Sequence, residues 1–402
     1  MKVLQLTERY PPAVGGVETH VRRLSQELRK MGVDVRVVTT DLLTTDPVRR
    51  FKLGKGDPSA QDIPVKRVRA YRLLPVKQGL GLISPGMLAC LKGVDVVHAH
   101  GYAHFPTYLA RLCWAIGIPC VVTTHSDAGR LSVRKRMFDI AVPWFTIRGA
   151  DKVIAVSDHE RRVLVRRGVD ESKIAVIPNG VDIAEFPSRE NPKSDEGIKT
   201  ILYAGRIDVD QKGLDVLIRA FAILFHRLPM KLLLRLVGPD WSGSTDRLRK
   251  LARTLKVDNS VEFLGYQARE RFVALMQSSD VFVLPSRFEP FGIVLLEALA
   301  ACVPIVASRV GAVPEILEHG KFGQLFERED TRSLAGAMEY ALTHPADVAQ
   351  MAEKGRESLA RYSWKNVAAA TEKVYQHAKF ESSRGQTQRI SRQPTKLGAN
   401  RQ

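Results

Sequence analysis

Val281-Phe282-Val283-Leu284-Pro285-Ser286-Arg287-Phe288-Glu289-Pro290-Phe291-Gly292-Ile293-Val294-Leu295-Leu296-Glu297-Ala298 is the segment whose reading decides the fold. A continuous apolar run stops at Pro285, as a strand buried on both faces would. A short loop carries Glu289, and a helix is expected to open near Pro290-Phe291-Gly292, with proline where a first turn tolerates it. Strand, loop and helix in that order form the unit of a doubly wound parallel sheet.

The same alternation extends in both directions. Strand-like runs are expected at 3–7, 33–40, 65–73, 94–98, 120–124, 152–156 and 174–177. A second series is expected at 200–203, 231–237, 261–264, 280–284, 304–307 and 324–326. Between the first two, Val17, Val21, Leu24, Leu28 and Met31 recur at helical spacing, and Gly32 ends the helix. The expected class is α/β, with two Rossmann-like domains facing each other across a cleft. Residues 1–185 form the first domain, 186–199 a polar linker and 200–362 the second. A last helix at 363–380 is followed by a disordered basic tail at 381–402.

Composition bounds the function. The chain has 402 residues, 45% apolar and 26% charged, which suits a globular protein of two domains. It has no apolar run of the length a membrane-spanning helix needs, and Met1–Leu6 is strand-like, so no leader is expected. Cys90, Cys113, Cys120 and Cys302 show neither CxxC nor metal spacing, which points to reduced thiols and a cytoplasmic chain. The net charge is +18; residues 1–190 carry 30 Lys and Arg against 19 Asp and Glu. That excess suits an anionic substrate, a polyanion or an anionic membrane surface.

Four places carry chemistry. First, backbone N–H groups of Phe291, Gly292 and Ile293 at a helix start form an anion site suited to a diphosphate. Glu289 and Glu297, eight residues apart, suit hydroxyls at two points of an extended ligand. Second, Arg206 and Lys212 follow the first strand of the second domain and offer a fork and a point charge to phosphate oxygens. Asp208-Val209-Asp210 has the form of a metal-binding pair, but two cations beside it already supply the neutralisation. Third, Gly15 and Gly16 between the first strand and first helix let backbone approach a phosphate. Fourth, His125 at the end of a strand faces the cleft, where it can bind a hydroxyl or assist proton transfer. His98, His100 and His104 have no carboxylate nearby in sequence, so no metal site is expected.

These features together resemble the retaining nucleotide-sugar glycosyltransferases of family four, which have the GT-B fold, over residues 1 to about 380. The resemblance rests on Gly15-Gly16-Val17-Glu18, the run from Ala150 to Ser157, Ile177-Pro178-Asn179-Gly180-Val181-Asp182, Gly205-Arg206, Lys212-Gly213, Glu289-Pro290-Phe291-Gly292, Glu297-Ala298 and Gly311-Ala312 with Pro314-Glu315. It implies that Arg206 and Lys212 bind the donor diphosphate, Glu297 the ribose and Glu289 the sugar. Phe291, Gly292 and Ile293 would present N–H groups, Gly15 and Gly16 would approach the phosphate, and His125 would touch the sugar. It implies a hexosyl transfer with retention, from a UDP- or GDP-sugar to a glycan or lipid-linked acceptor held by the first domain. It also implies no metal, no cofactor and a last helix that crosses back to the first domain. Cys302 and Ala312 depart from the family, which usually has glycine at both.

Other functions fit less well. A nucleic-acid binder calls for aromatic residues interleaved with the basic ones, and aromatics are 7% of the chain. A sugar-nucleotide epimerase on the same fold, or a non-catalytic polyanion-binding protein, is the alternative. In the first domain, Arg130, Arg134, Lys135 and Arg136 stand beside Phe138, Ile140, Val142, Trp144 and Phe145. Such a segment can lie on an anionic bilayer, which would place the enzyme peripherally at the inner face of the membrane. The alternative is the core face of a helix.

Overall fold

The computed structural model describes residues 1–45, 48–52, 62–73, 82–102, 104–125, 146–187 and 197–391. Two parallel sheets form the body. In spatial order the first is Ile174–Val176, Lys152–Ala155, Cys120–Thr123, Val96–His100, Lys2–Thr7, Asp34–Thr40 and Val65–Val68. The second is Val261–Gly265, Lys231–Val237, Ile198–Ala204, Val281–Leu284, Ile305–Ser308 and Gln324–Phe326. Chain order reverses beside Lys2–Thr7 in one and Ile198–Ala204 in the other. Open α/β sheets bind ligands at such switch points, outside the carboxyl ends of the strands.

Burial follows from the apolar runs. Val281–Leu284 is buried throughout, between helices on both faces of its sheet. The helix Gly16–Lys30 buries Val21, Leu24 and Leu28, with Gly32 at φ 85° just beyond it. The last helix, Trp364–Ser391, packs Trp364, Val367, Tyr375 and Ala378 against Val3, Val96 and Val121 of the first sheet and Leu24 of the first helix. A residue late in the chain therefore completes a core begun by its first strand.

Several expected boundaries are corrected. The strand expected over 65–73 ends at Val68, because the Ala70 N–H donates to the Asp41 carboxylate and leaves the ladder. Tyr71–Arg72 instead pairs antiparallel with Leu82–Ile83. The strand expected over 94–98 is Val96–His100, since the Asp95 carboxylate accepts from the Lys2 N–H outside the ladder. Ile198 and Lys199, expected in the linker, pair with Lys231 and Leu232, and Phe186 is buried in the second core. Of the tail expected to be disordered over 381–402, residues 381–391 continue the last helix to Ser391, and 392–402 lie outside the described residues. Extending a formed helix adds a hydrogen bond for each residue fixed, and no proline intervenes.

The two departures from the family differ in consequence. Cys302 sits at φ 52°, in the left-handed region that glycine adopts freely and that disfavours other residues by roughly 1–2 kcal/mol. Ala312 has right-handed helical angles, so a side chain there is unstrained.

Candidate active site

The loops at the carboxyl ends of both sheets enclose a cavity of about 590 Å³ between the domains. It brings together Gly15, Gly16 and His125 from one side with Arg206, Lys212, Glu289, Phe291, Gly292, Ile293 and Glu297 from the other. The residues expected to bind the donor therefore line one space.

The Val281–Leu284 strand delivers Ser286 and Glu289, and the geometry there departs from expectation. The helix begins at Ile293, not at Pro290, and Gly292 caps it at φ 94°, ψ 63°. A side chain at that left-handed position would be strained, and a Cβ would also come to 3.2 Å from Leu295. Phe291 and Gly292 thus belong to the approach loop, and the helix's own free N–H groups start at Ile293. Glu289 is outside the helix, so it and Glu297 are not on one helical face; the cavity relates them instead.

Each charged group is already held. Glu289, 6% exposed, takes Lys212 Nζ at 2.7 Å and the Ser286 hydroxyl at 3.1 Å on the same Oε2. Lys212 ends a one-turn helix, Val209–Lys212, where a plain loop was expected. Asp208 caps that turn by accepting from the Gln211 N–H, a structural use of the acid pair read as metal-like. Gly213 follows at φ 63°, and a Cβ there would run into the Pro285 carbonyl oxygen, so the lysine loop and the Glu289 loop touch through backbone. The Arg206 guanidinium donates to the neutral amide oxygen of Gln211 at 2.9 Å, and the Arg206 carbonyl accepts from the Tyr203 hydroxyl at 2.7 Å. Glu297 accepts from Arg269 at 2.5 Å; burial raises its pKa and the arginine lowers it, burial prevailing. Arg269 also pairs with Glu185, which pairs with Arg23 of the first domain.

Sequence reasoning missed Arg269, Gln211 and Trp241. Trp241 has Arg206 at 5.8 Å and Arg9 of the first domain at 5.4 Å from its ring centroid, so cations of both domains meet at one indole. No spacing signals Arg269 or Trp241, because each finds its partners across the fold; Gln211 meets Arg206 only five residues away, through the one-turn helix that the sequence did not announce.

His125, two residues past the Cys120–Thr123 strand, adopts φ 48° and joins a buried network. His100 Nδ1 is 3.2 Å from His125 Nε2, and His100 Nε2 is 2.6 Å from the Gln5 amide oxygen. Gln5 donates to the Tyr375 hydroxyl at 3.1 Å. That hydroxyl lies 2.7 Å from His98 Nδ1, and His98 Nε2 lies 2.7 Å from the Thr123 hydroxyl. An amide oxygen only accepts, so His100 carries its proton on Nε2 and receives the His125 proton on Nδ1. Burial lowers the pKa of His98, His100 and His125 well below the usual imidazole value, and that of His20 to about 4. The His98, His100, His104 trio read from the sequence is not a unit: His104 pairs instead with Glu8 at 2.8 Å.

The comparisons agree with this architecture. The family model for glycosyltransferase family 4 matches residues 14–185, and the model for glycosyl transferases group 1 matches residues 185–358. A glycogen synthase of Mycobacterium tuberculosis is 32% identical over 98% of each chain. A GDP-mannose:cellobiosyl-diphosphopolyprenol alpha-mannosyltransferase of Xanthomonas oryzae is 28% identical over 91% of this chain and 94% of its own. The Anabaena protein Alr3699/HepE, solved in complex with UDP and glucose, superposes with a TM-score of 0.72 at 22% identity, over 95% of this chain and all of its own. Two facing parallel-sheet domains, a cavity between them and matches spanning both halves lead to one conclusion: the chain is a glycosyltransferase of the GT-B fold and belongs to the group 1, family 4 glycosyltransferases.

Proposed function

We propose that this enzyme transfers a hexosyl group, with retention of anomeric configuration, from a UDP- or GDP-sugar to an acceptor hydroxyl of a glycan or lipid-linked molecule. The carrying observation is the convergence of two cations, two carboxylates and a helix start on one inter-domain cavity. Arg206 and Lys212 take the diphosphate, the Ile293 N–H group adds to their field, and no metal is needed to neutralise the charge that grows on the leaving group. Lys212 is held by Glu289 before substrate arrives. Diphosphate entry draws the ammonium toward phosphate and frees Glu289 Oε2 to accept a sugar hydroxyl. Glu297, anchored by Arg269, accepts from the ribose hydroxyls. His125 donates to the sugar from the opposite wall. The acceptor attacks from the face the phosphate leaves, and the departing phosphate oxygen takes the acceptor proton.

The lipid-linked acceptor has two supports besides the name of the Xanthomonas relative. Leu112 and Ile116, one helical turn apart, are exposed on one face at the end of the helix Phe105–Ile116. The first half of the chain also carries the larger share of the positive charge. The basic segment Arg130–Phe145 read as membrane-facing lies outside the described residues, and no described helix is long and apolar enough to cross a membrane.

A thermal-shift screen with nucleoside diphosphates and nucleotide sugars tests the donor. A ligand at a hundred times its dissociation constant adds about 2.7 kcal/mol of stability. Transfer from the stabilising nucleotide sugar should depend on an acceptor and survive a chelator. Sugar conversion without acceptor would instead establish the epimerase, and loss of activity with chelator would reject charge neutralisation by Arg206 and Lys212 alone.

A further inference from the structure

We propose that Glu8 and His104 bind the hydroxyl-bearing end of the acceptor, taking two neighbouring hydroxyls of a sugar or other uncharged polyol on the first-domain side of the cleft. Such an acceptor presupposes the glycosyl transfer proposed above, for which these residues supply the acceptor contacts. Glu8 directly follows the Lys2–Thr7 strand; His104 follows the Val96–His100 strand and precedes the helix Phe105–Ile116. Those strands are neighbours where chain order reverses, the position at which an open α/β sheet receives a ligand. The Lys2–Thr7 strand stands two places from the Cys120–Thr123 strand that leads to His125, about 10 Å across the sheet.

The pair leaves one donor and one acceptor unused. His104 Nδ1 donates to Glu8 Oε2 at 2.8 Å. The ring lies over Gly101, at φ 111°, where a Cβ would come to 2.9 Å from it. Burial lowers the His104 pKa and raises that of Glu8, and in both the attraction between the two outweighs burial, so the charged pair is favoured. With Nδ1 and Oε2 engaged with each other, the imidazolium offers its Nε2–H and the carboxylate its Oε1. Among the described residues nothing is hydrogen-bonded to either atom, and neither is shut off from solvent. Glu8 is 8% exposed and the His104 side chain 30%, so the two atoms form a recess that a hydroxyl can reach. A donor beside an acceptor matches two adjacent hydroxyls, one accepting and one donating.

Charge selects the class of ligand. Arg9 pairs with Glu18 at 2.9 Å, and Glu18 lies against Gly15, which lines the donor cavity. Two charges of each sign therefore balance here, and the open edge of the Glu8 carboxylate disfavours a phosphate. Anionic parts of the substrates have their own cations in Arg206 and Lys212. Arg9 also meets the Trp241 indole of the second domain at 5.4 Å, so this end of the first sheet faces the cleft.

The experiment uses the full chain and the nucleotide sugar that stabilises it, with maltose and octyl β-cellobioside as acceptor probes. Glu8→Gln and His104→Gln should each raise the acceptor KM roughly 10–100-fold, the loss of a hydrogen bond to a charged group, and leave calorimetric binding of the nucleoside diphosphate unchanged. Glu8, Arg9 and Glu18 face the His104 ring as charges, and Tyr108 stands beside Glu8. In the wild type the acceptor KM should rise as pH climbs through the raised His104 pKa, because the ring then loses its charge and its Nε2 proton; His104→Gln should lack that rise. The wild-type profile needs no variant to fold. Unchanged acceptor KM in a variant that still binds nucleoside diphosphate would overturn the proposal. So would a wild-type acceptor KM flat against pH, or no transfer to either probe by enzyme that binds its donor. Sugar conversion without acceptor would reject the transfer reading, and this one with it; normal transfer at unchanged acceptor KM would reject this one alone.

Discussion

Lys212→Ala separates what the Lys212–Glu289 pair does for the fold from what it does for the reaction. At 2.7 Å the gross attraction is about 6 kcal/mol with an effective dielectric constant near 20. Desolvation of the two ions offsets most of it, so the pair adds little net stability. Removing one partner is different. Glu289 is left with Ser286 alone, in a site only 9% exposed at its side chain. Breaking a fully buried pair costs about 3–5 kcal/mol, and the partial exposure of Lys212 and Glu289 lowers this to roughly 2–3 kcal/mol here. Lys212→Ala should therefore lower the urea midpoint of the second domain. The double variant Lys212→Ala, Glu289→Gln removes the orphaned charge and should recover most of that loss. Turnover should not recover: a preorganised group facing a developing charge contributes about 3–4 kcal/mol, or roughly 100–1,000-fold in rate. Urea titration with and without nucleoside diphosphate, beside turnover at saturating donor, reads both quantities. An unshifted midpoint in the single variant would refute the stability argument. Recovered turnover in the double variant would refute the role at the leaving group.

Three further outcomes are expected. Glu297→Ala should weaken calorimetric binding of the free nucleoside diphosphate by roughly 10-fold or more, about 1.4 kcal/mol, while Glu289→Ala leaves it nearly intact; equal weakening would reject the division between ribose and sugar. Burial lowers the folded-state pKa of His20 to about 4 against about 6.5 unfolded, so the unfolded chain binds more protons between those values. Its stability contribution is complete above pH 6.5 and falls by about 3 kcal/mol as pH drops through that window; His20→Gln should flatten the thermal midpoint against pH, and an unchanged slope would remove His20 from the acid response. Anionic but not neutral vesicles should co-sediment the enzyme, less so at high salt or after charge reversal at Arg134, Lys135 and Arg136, and equal binding to both vesicle types would favour a soluble acceptor.

Local order was legible wherever a rule acts within a few residues. The apolar runs announced buried parallel strands, the spacing of Val17, Val21, Leu24 and Leu28 announced the first helix, and the strand-to-helix units singled out Arg206, Lys212, Glu289 and Glu297 as candidates. Each is a short-range consequence of side-chain polarity and backbone period. Tertiary structure decided the rest, because the partners are far apart in the chain. Asp41 ended the third strand of the first sheet from 29 residues away, and Tyr375 reached Gln5 across 370. Arg269 chose Glu297 and Glu185 together, and His20 came to face His100 and His125 only when a helix and two strand ends converged. Spacing along a chain determines which groups share a strand or a turn; which lone pair meets which proton is determined by packing, and the chemistry of this cavity depends on both.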